Sequence, residues 1–219
     1  MTIDIRFTFR PIGTLWCQVG LIFICKEQLE TGQEPLGLDQ KTSSYLQYLF
    51  GRAFWGCEKG ETLLLPGEER VRPHKLLLKG LGQCNNLNPS QLVEQVKASA
   101  ETLANIEAND IGVRMPPIWG RESYAELLID TSLTFARAWK AIETKGVRVG
   151  SELRLVYALD TMFLEEIEGA AAQLRNSFLK DPVLDASIVV ESLGSRWSGM
   201  GIAGEASGLS ESNYKLREV

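Results

Sequence analysis

Residues Val19-Gly20-Leu21-Ile22-Phe23-Ile24 form an apolar run with no polar break, and Cys25 extends it. A strand with one wet face alternates apolar and polar side chains. A run without alternation suits a strand covered on both faces, the condition of a strand inside an α/β sheet. The run is also far shorter than the roughly 20 apolar residues a membrane helix needs.

The rest of the chain supplies the layers such a strand requires. Ile3, Ile5, Phe7 and Phe9 alternate with Asp4, Arg6 and Thr8, which predicts a half-buried strand before it. The central strand itself is predicted over Leu15–Cys25. Further strands are predicted at Thr62–Leu65, Lys75–Lys79, Ile111–Met115, Leu153–Tyr157 and Ser187–Glu191. Asp39 is placed to cap a helix through Leu46 and Phe50. Asn88-Pro89-Ser90-Gln91 combines a cap, a first-turn proline and a capping-box partner, and Leu92, Val96, Ser99, Leu103 and Ile106 continue as a helical stripe. A long helix is predicted from Glu122 to Lys145. Another follows Asp160, read as its cap, with Phe163, Ile167, Ala170, Leu174 and Phe178 on one face. Strands and helices alternate through the second half, which predicts a largely parallel sheet between two helix layers, with the N-terminal strands adding an antiparallel edge. Residues 1–191 read as one domain. Residues 192–219, rich in glycine and serine, read as a tail or lid in which Trp197 is a docking anchor.

Charge and cysteine usage narrow the function classes. The formal net charge is −5 and the pI about 5.1, which disfavours nucleic acid, whose phosphates call for a basic surface. The N-terminal segment mixes charged and apolar residues and is not a signal peptide. Cys17, Cys25, Cys57 and Cys84 form no C-x-x-C pair and read as reduced thiols of a cytoplasmic protein. With the single histidine, His74, they are too scattered for a Cys/His zinc site, so no metal or cofactor is expected.

Four pieces in order then carry a resemblance. They are Val19–Ile24, Leu38-Asp39, Phe54-Trp55-Gly56-Cys57-Glu58-Lys59-Gly60-Glu61-Thr62, and Lys75-Leu76-Leu77-Leu78-Lys79-Gly80-Leu81-Gly82. Together they resemble the N-terminal domain of the cytosol (leucyl) aminopeptidase family, over roughly residues 15–178. The resemblance implies a macro-domain-like, three-layer α/β/α fold with a central mixed sheet. Val113–Gly120 and Leu153–Asp160 are similar to later segments of macro domains. The family's peptidase chemistry belongs to a separate domain with two metals and a motif like Asn-Thr-Asp-Ala-Glu-Gly-Arg, which this sequence does not contain. Glu165, Glu166 and Glu168 read instead as a solvated helix face. The resemblance therefore implies a stand-alone, non-catalytic module, with itself or an aminopeptidase-like protein as partner.

Two loops are candidates for a ligand, the first read from its residues and the second implied by the resemblance. Glycines at Gly80-Leu81-Gly82 let backbone amides approach a phosphate or ribose; a tight turn between strand and helix is the favoured reading of them. Asn85, Asn86 and Asn88 add polar side chains there, or serve as turn and cap residues. Cys84 stands near a helix start, where thiols ionise more readily. The second loop, Trp119-Gly120-Arg121 with Ser123, matches the one that wraps a diphosphate in macro domains, with Trp119 in place of small residues. The Asp after an early strand and the Asn-Ala-Ala-Asn-like segment of ADP-ribose-binding macro domains are missing. A small nucleotide-like ligand is the alternative to a protein partner. His74 reads as a surface residue, and the tryptophans as core or interface anchors.

Overall fold

The structure is a computed structural model that describes residues 2–31, 38–67, 71–116, 121–146, 150, 152–181 and 184–191. Seven strands form one sheet: β1 (Thr2–Thr8), β2 (Val19–Ile24), β3 (Thr62–Pro66), β4 (Lys75–Gly80), β5 (Asp110–Arg114), β6 (Glu152–Ala158) and β7 (Asp185–Val190). Five helices accompany them: α1 (Lys26–Glu30), α2 (Gln40–Gly51), α3 (Pro89–Asn105), α4 (Arg121–Thr144) and α5 (Leu164–Leu179). The strand order is β3-β4-β2-β5-β6-β1-β7.

Strand β2 shows why its sequence has no alternation. All six of its residues are buried. Leu21 and Phe23 belong to the larger core, with α3, α4 and α5. Ile22 and Ile24 belong to the smaller core, with Leu46 of α2 and Trp55. Each face of the strand thus has its own helix layer. Strand β1 has Ile3, Ile5 and Phe7 in the larger core, while Asp4 and Arg6 stay partly exposed on the other face.

Three predicted details are corrected. The antiparallel edge is β3, paired with β4 from Thr62–Lys79 to Pro66–Lys75. Strand β1 instead lies inside the sheet, parallel to β6 and to β7. Alternation in β1 reports burial and not direction. The short connection from Pro66 to Lys75 permits an antiparallel return but falls below the dozen or so residues of a parallel crossover. Second, β2 begins at Val19 and not at Leu15, because Ile12–Thr14 forms a 3-10 turn and Gln18 N donates to Asp110 O at 2.9 Å. Third, Asp160 makes no side-chain cap; Thr161–Phe163 is a 3-10 turn leading into α5.

The other caps form as their chemistry requires. Asp39 accepts from Thr42 N at 2.9 Å. Asn88 accepts from Gln91 N at 2.9 Å, and Gln91 Oε1 accepts from Asn88 N at 3.2 Å. These bonds satisfy backbone donors that a helix start leaves open. Among the described residues, no helix is long and apolar enough to cross a membrane. The predicted tail, with Trp197, lies outside the described residues.

Candidate functional site

Strands β2, β4, β5 and β6 run parallel, so their C-terminal ends meet at one edge of the sheet. Ligand sites of open α/β sheets lie along such an edge. It carries two corners, one at the ends of β2 and β4, the other at the ends of β5 and β6.

The first corner holds Gly80-Leu81-Gly82, and the chain itself takes its donors. Gly80 N donates to Glu61 O at 2.8 Å, and Gly60 N donates to Gly80 O at 2.9 Å. Leu81 N donates to Ile24 O at 2.9 Å, and Gly82 N to Cys57 O at 3.1 Å. A Cβ on Gly80 would stand 2.5 Å from Glu58 O and 2.7 Å from Cys57 C. Gly82 has φ +69°, a conformation that L side chains rarely adopt. Close backbone approach accounts for the first glycine and left-handed geometry for the second, so the three amides face protein acceptors. Cys57 is buried at φ +53°, and its Sγ donates to Ile24 O at 3.3 Å. Burial pushes this thiol up to about 12. Lys79 Nζ donates to Gly60 O and Thr62 Oγ1 at 2.8 and 2.9 Å, and burial pushes its pKa down.

The cysteine expectation is corrected here. Cys25, directly after β2, and Cys84, just beyond the corner, are joined in a disulfide with Cα atoms 5.4 Å apart. They are 59 residues apart in sequence, and the pairing of β2 with β4 brings them together. Cys84 N also donates to both carboxylate oxygens of Glu27, at 3.1 and 3.2 Å. Cysteines that look scattered along the chain are thus gathered with an acid: the ligand atoms of Cys25, Glu27 and Cys84 lie within 4.8 Å of one another. Cys17 and Cys57 remain free and buried. Cys84 is therefore not a free thiol at a helix start, and the turn it opens, Cys84–Asn86, is only one 3-10 turn. Asn85 is exposed on that turn, and Asn88 is occupied as a cap. His74 is exposed just before β4.

At the second corner the sequence points to the loop before α4 but not to Arg114, Asp160 and Tyr124 as a group. Arg114, the last residue of β5, is buried. Its Nη1 donates to Ala158 O at 3.1 Å and its Nη2 to Asp160 Oδ2 at 2.7 Å. One ion pair thereby ties the ends of β5 and β6. Tyr124, in the first turn of α4, stacks on Phe163 with ring centroids 4.0 Å apart. Arg114 Nε and Tyr124 Oη are buried and have no hydrogen-bond partner among the described residues. Burial holds the Tyr124 hydroxyl well above its ordinary range, with a smaller opposing pull from Arg114. A charged residue inside the otherwise apolar stretch Ile111–Met115 was the available signal. Of the predicted diphosphate loop, Arg121 opens α4 and Ser123 is exposed on its first turn. Trp119 and Gly120 lie outside the described residues. Trp55 and Trp139 are core residues, whereas Trp16 is half exposed beneath the Arg72 guanidinium. Glu165 and Glu168 are exposed on α5 and Glu166 is half-buried.

No family model matches the sequence, and no curated protein does. Solved structures match the fold. A mutant of tomato leucine aminopeptidase superposes with a TM-score of 0.54 at 16% identity, over 79% of this chain. The Oceanobacillus iheyensis macrodomain with MES bound superposes at 0.52 and 9% identity, over 78% of this chain and 90% of that one. A point mutant of the same macrodomain gives 0.53 and 11%, over 80% and 88%. The fold is that of a macrodomain. It is shared by the aminopeptidase, of whose length this chain spans only 36%. At these identities the likeness is one of fold, as the sequence resemblance implies.

Proposed function

We propose that this macrodomain-like chain is a non-catalytic module of the leucyl-aminopeptidase N-terminal type that acts through protein contacts, with itself or with an aminopeptidase-like subunit. The observation that carries this reading is the closure of the Gly80 corner. Its amides donate to Glu61, Ile24 and Cys57, and the Cys25–Cys84 disulfide joins the segments that follow β2 and β4. A phosphate cradle keeps such donors turned outward. The test has two arms. The purified chain is expected to release no leucine from a leucyl substrate with zinc, manganese or magnesium added, and to self-associate, or bind an aminopeptidase-like chain, in sedimentation velocity. Metal-dependent leucine release overturns the reading.

A second reading is favoured by the other corner. Arg114 Nε and Tyr124 Oη are buried polar atoms without partners among the described residues, at strand ends where α/β folds bind ligands. On that reading the chain takes a nucleotide-like ligand of the ADP-ribose class at the β5/β6 end, beside Arg121 and Ser123. ADP-ribose at millimolar concentration would then raise the melting temperature, as any ligand of the folded state does, and Tyr124→Phe would reduce the shift. No shift across a panel of ADP-ribose, ADP, ATP and NAD supports the first reading.

A further inference from the structure

Cys25, Glu27 and Cys84 come from three segments: the end of β2, the first turn of α1, and the turn after β4. Two sulfurs and a carboxylate oxygen within 4.8 Å of one another make a compact donor set. Cys25 is buried, while Glu27 and Cys84 are only half-buried, so solvent reaches one side of the cluster.

The disulfide is not what holds these segments in place. Strands β2 and β4 pair in parallel from Val19–Lys75 to Ile24–Gly80. Beyond the ladder, Leu81 N donates to Ile24 O and Lys26 N to Gly82 O, both at 2.9 Å. Cys25 N donates to Gln28 Oε1 at 2.9 Å, and Cys84 N to the Glu27 carboxylate. Opening the S–S bond leaves two thiols and a carboxylate on segments that these bonds still join.

We propose that Cys25, Cys84 and Glu27 form a redox-gated site for a thiophilic divalent cation of the zinc class, shut in the disulfide form and available when the pair is reduced. This goes beyond the module reading and does not depend on it. The reductant is a small thiol of the glutathione class. One thiolate attacks a sulfur of the pair, giving a mixed disulfide and freeing the other cysteine. A second thiol displaces the first cysteine. Two R–SH become R–S–S–R, and Cys25 and Cys84 each gain one hydrogen. Binding of the cation then releases two thiol protons to solvent, because the thiolate is the ligand. Two thiolates and a carboxylate leave one tetrahedral position for water. Thiolate donors select zinc-class ions over magnesium and calcium. Cys17 and Cys57 lie outside this donor set and are buried, with thiols pushed up to about 12.

The test uses the intact chain, reduced with a phosphine, desalted under anaerobic conditions, and titrated with zinc against a chromophoric chelator. Cobalt serves as a spectroscopic stand-in for thiolate ligation. One ion per reduced chain is expected, with affinity at least about 100-fold weaker in the oxidised chain. That is at or beyond the 10–100-fold that outer-shell partners of a metal are worth. Cys84→Ser should lose the site to the same degree, Glu27→Gln should weaken it by at least about tenfold, and Cys17→Ser should leave it unchanged. Should Cys84→Ser fold poorly, the wild-type chain decides alone: bound zinc should protect Cys25 and Cys84 from alkylation, read by peptide mass spectrometry. The proposal is overturned if the reduced chain takes up no ion, if oxidised and reduced chains bind alike, if Cys84→Ser binds as tightly as wild type, or if zinc leaves Cys25 and Cys84 unprotected.

Discussion

The two corners of the strand-end edge are closed by different means. At the β2/β4 corner the closure is made of backbone. Gly60, Gly80, Leu81 and Gly82 donate to carbonyls, and the segment around Cys57 lies too close to Gly80 for any side chain there. At the β5/β6 corner the closure is made of side chains: the Arg114–Asp160 pair and the Tyr124–Phe163 stack. A backbone closure leaves no slack, because each amide has one partner and one geometry. A side-chain closure leaves leftovers, here Arg114 Nε and Tyr124 Oη. Leftover buried polar atoms cost stability and are where a ligand can add bonds without displacing any.

The sharpest way to break this contrast is Gly80→Ala. The new methyl would meet Glu58 O at 2.5 Å, a backbone carbonyl that already accepts from Glu61 N at 3.0 Å. A loss of about 3 kcal/mol is expected in urea unfolding. Gly169→Ala on α5, where nothing lies within 4 Å, is the control and should gain up to about 1 kcal/mol.

Alkaline titration separates the corners by pH. The Cys57 thiol is pushed from 9.0 to about 12 by burial. The folded chain keeps this proton while the unfolded chain loses it. Its contribution is therefore intact below pH 9 and lost as pH rises toward 12, at about 1.4 kcal/mol per pH unit. Tyr124, also raised by burial, adds a like loss only above its ordinary 10.0. Cys17 follows the same course as Cys57. Stability measured from pH 8 to 11 should fall; Cys57→Ala should roughly halve the slope between 9 and 10, where Cys17 supplies the rest, while Tyr124→Phe eases only the part above 10. A flat wild-type profile would contradict both burials.

Arg114→Ala comes next. Asp160 keeps a 36% exposed side chain, so its loss of a partner is partly compensated by water. About 2 kcal/mol is expected, below the 3–5 kcal/mol of a fully buried pair. The smallest effect is Tyr124→Phe, which removes a hydroxyl with no partner among the described residues. It should be neutral or stabilising by up to about 1 kcal/mol. A clear loss would show that Oη is bonded and that the second corner is as complete as the first.

Much of the fold was legible in the chain. The unbroken apolar run of β2, the Asn88-Pro89-Ser90-Gln91 helix start and the Leu92–Leu103 stripe are local signals, and each forms as read. The order of the four aminopeptidase-like pieces points to a macrodomain-like sheet, and the solved structures carry it. The candidate site was less legible. Gly80-Leu81-Gly82 reads from the sequence as a tight turn with a phosphate cradle as the alternative, and the acceptors of its amides, Glu61, Ile24 and Cys57, lie 19 to 57 residues away where no local pattern shows them. The Arg114–Asp160 pair is not legible, because 46 residues separate two side chains that only adjacent strand ends unite, and Asp160 alone reads as a helix cap.

The sequence by itself determined where strands and helices run, which faces are buried and where the glycine corner falls, since periodicity, caps and turn residues act within a few positions. Tertiary structure alone decided the direction of β1, the union of Cys25 with Cys84 beside Glu27, and the pairing of Arg114 with Asp160. These depend on which strands become neighbours, and that is set by how two helix layers share one sheet, a property no local window contains.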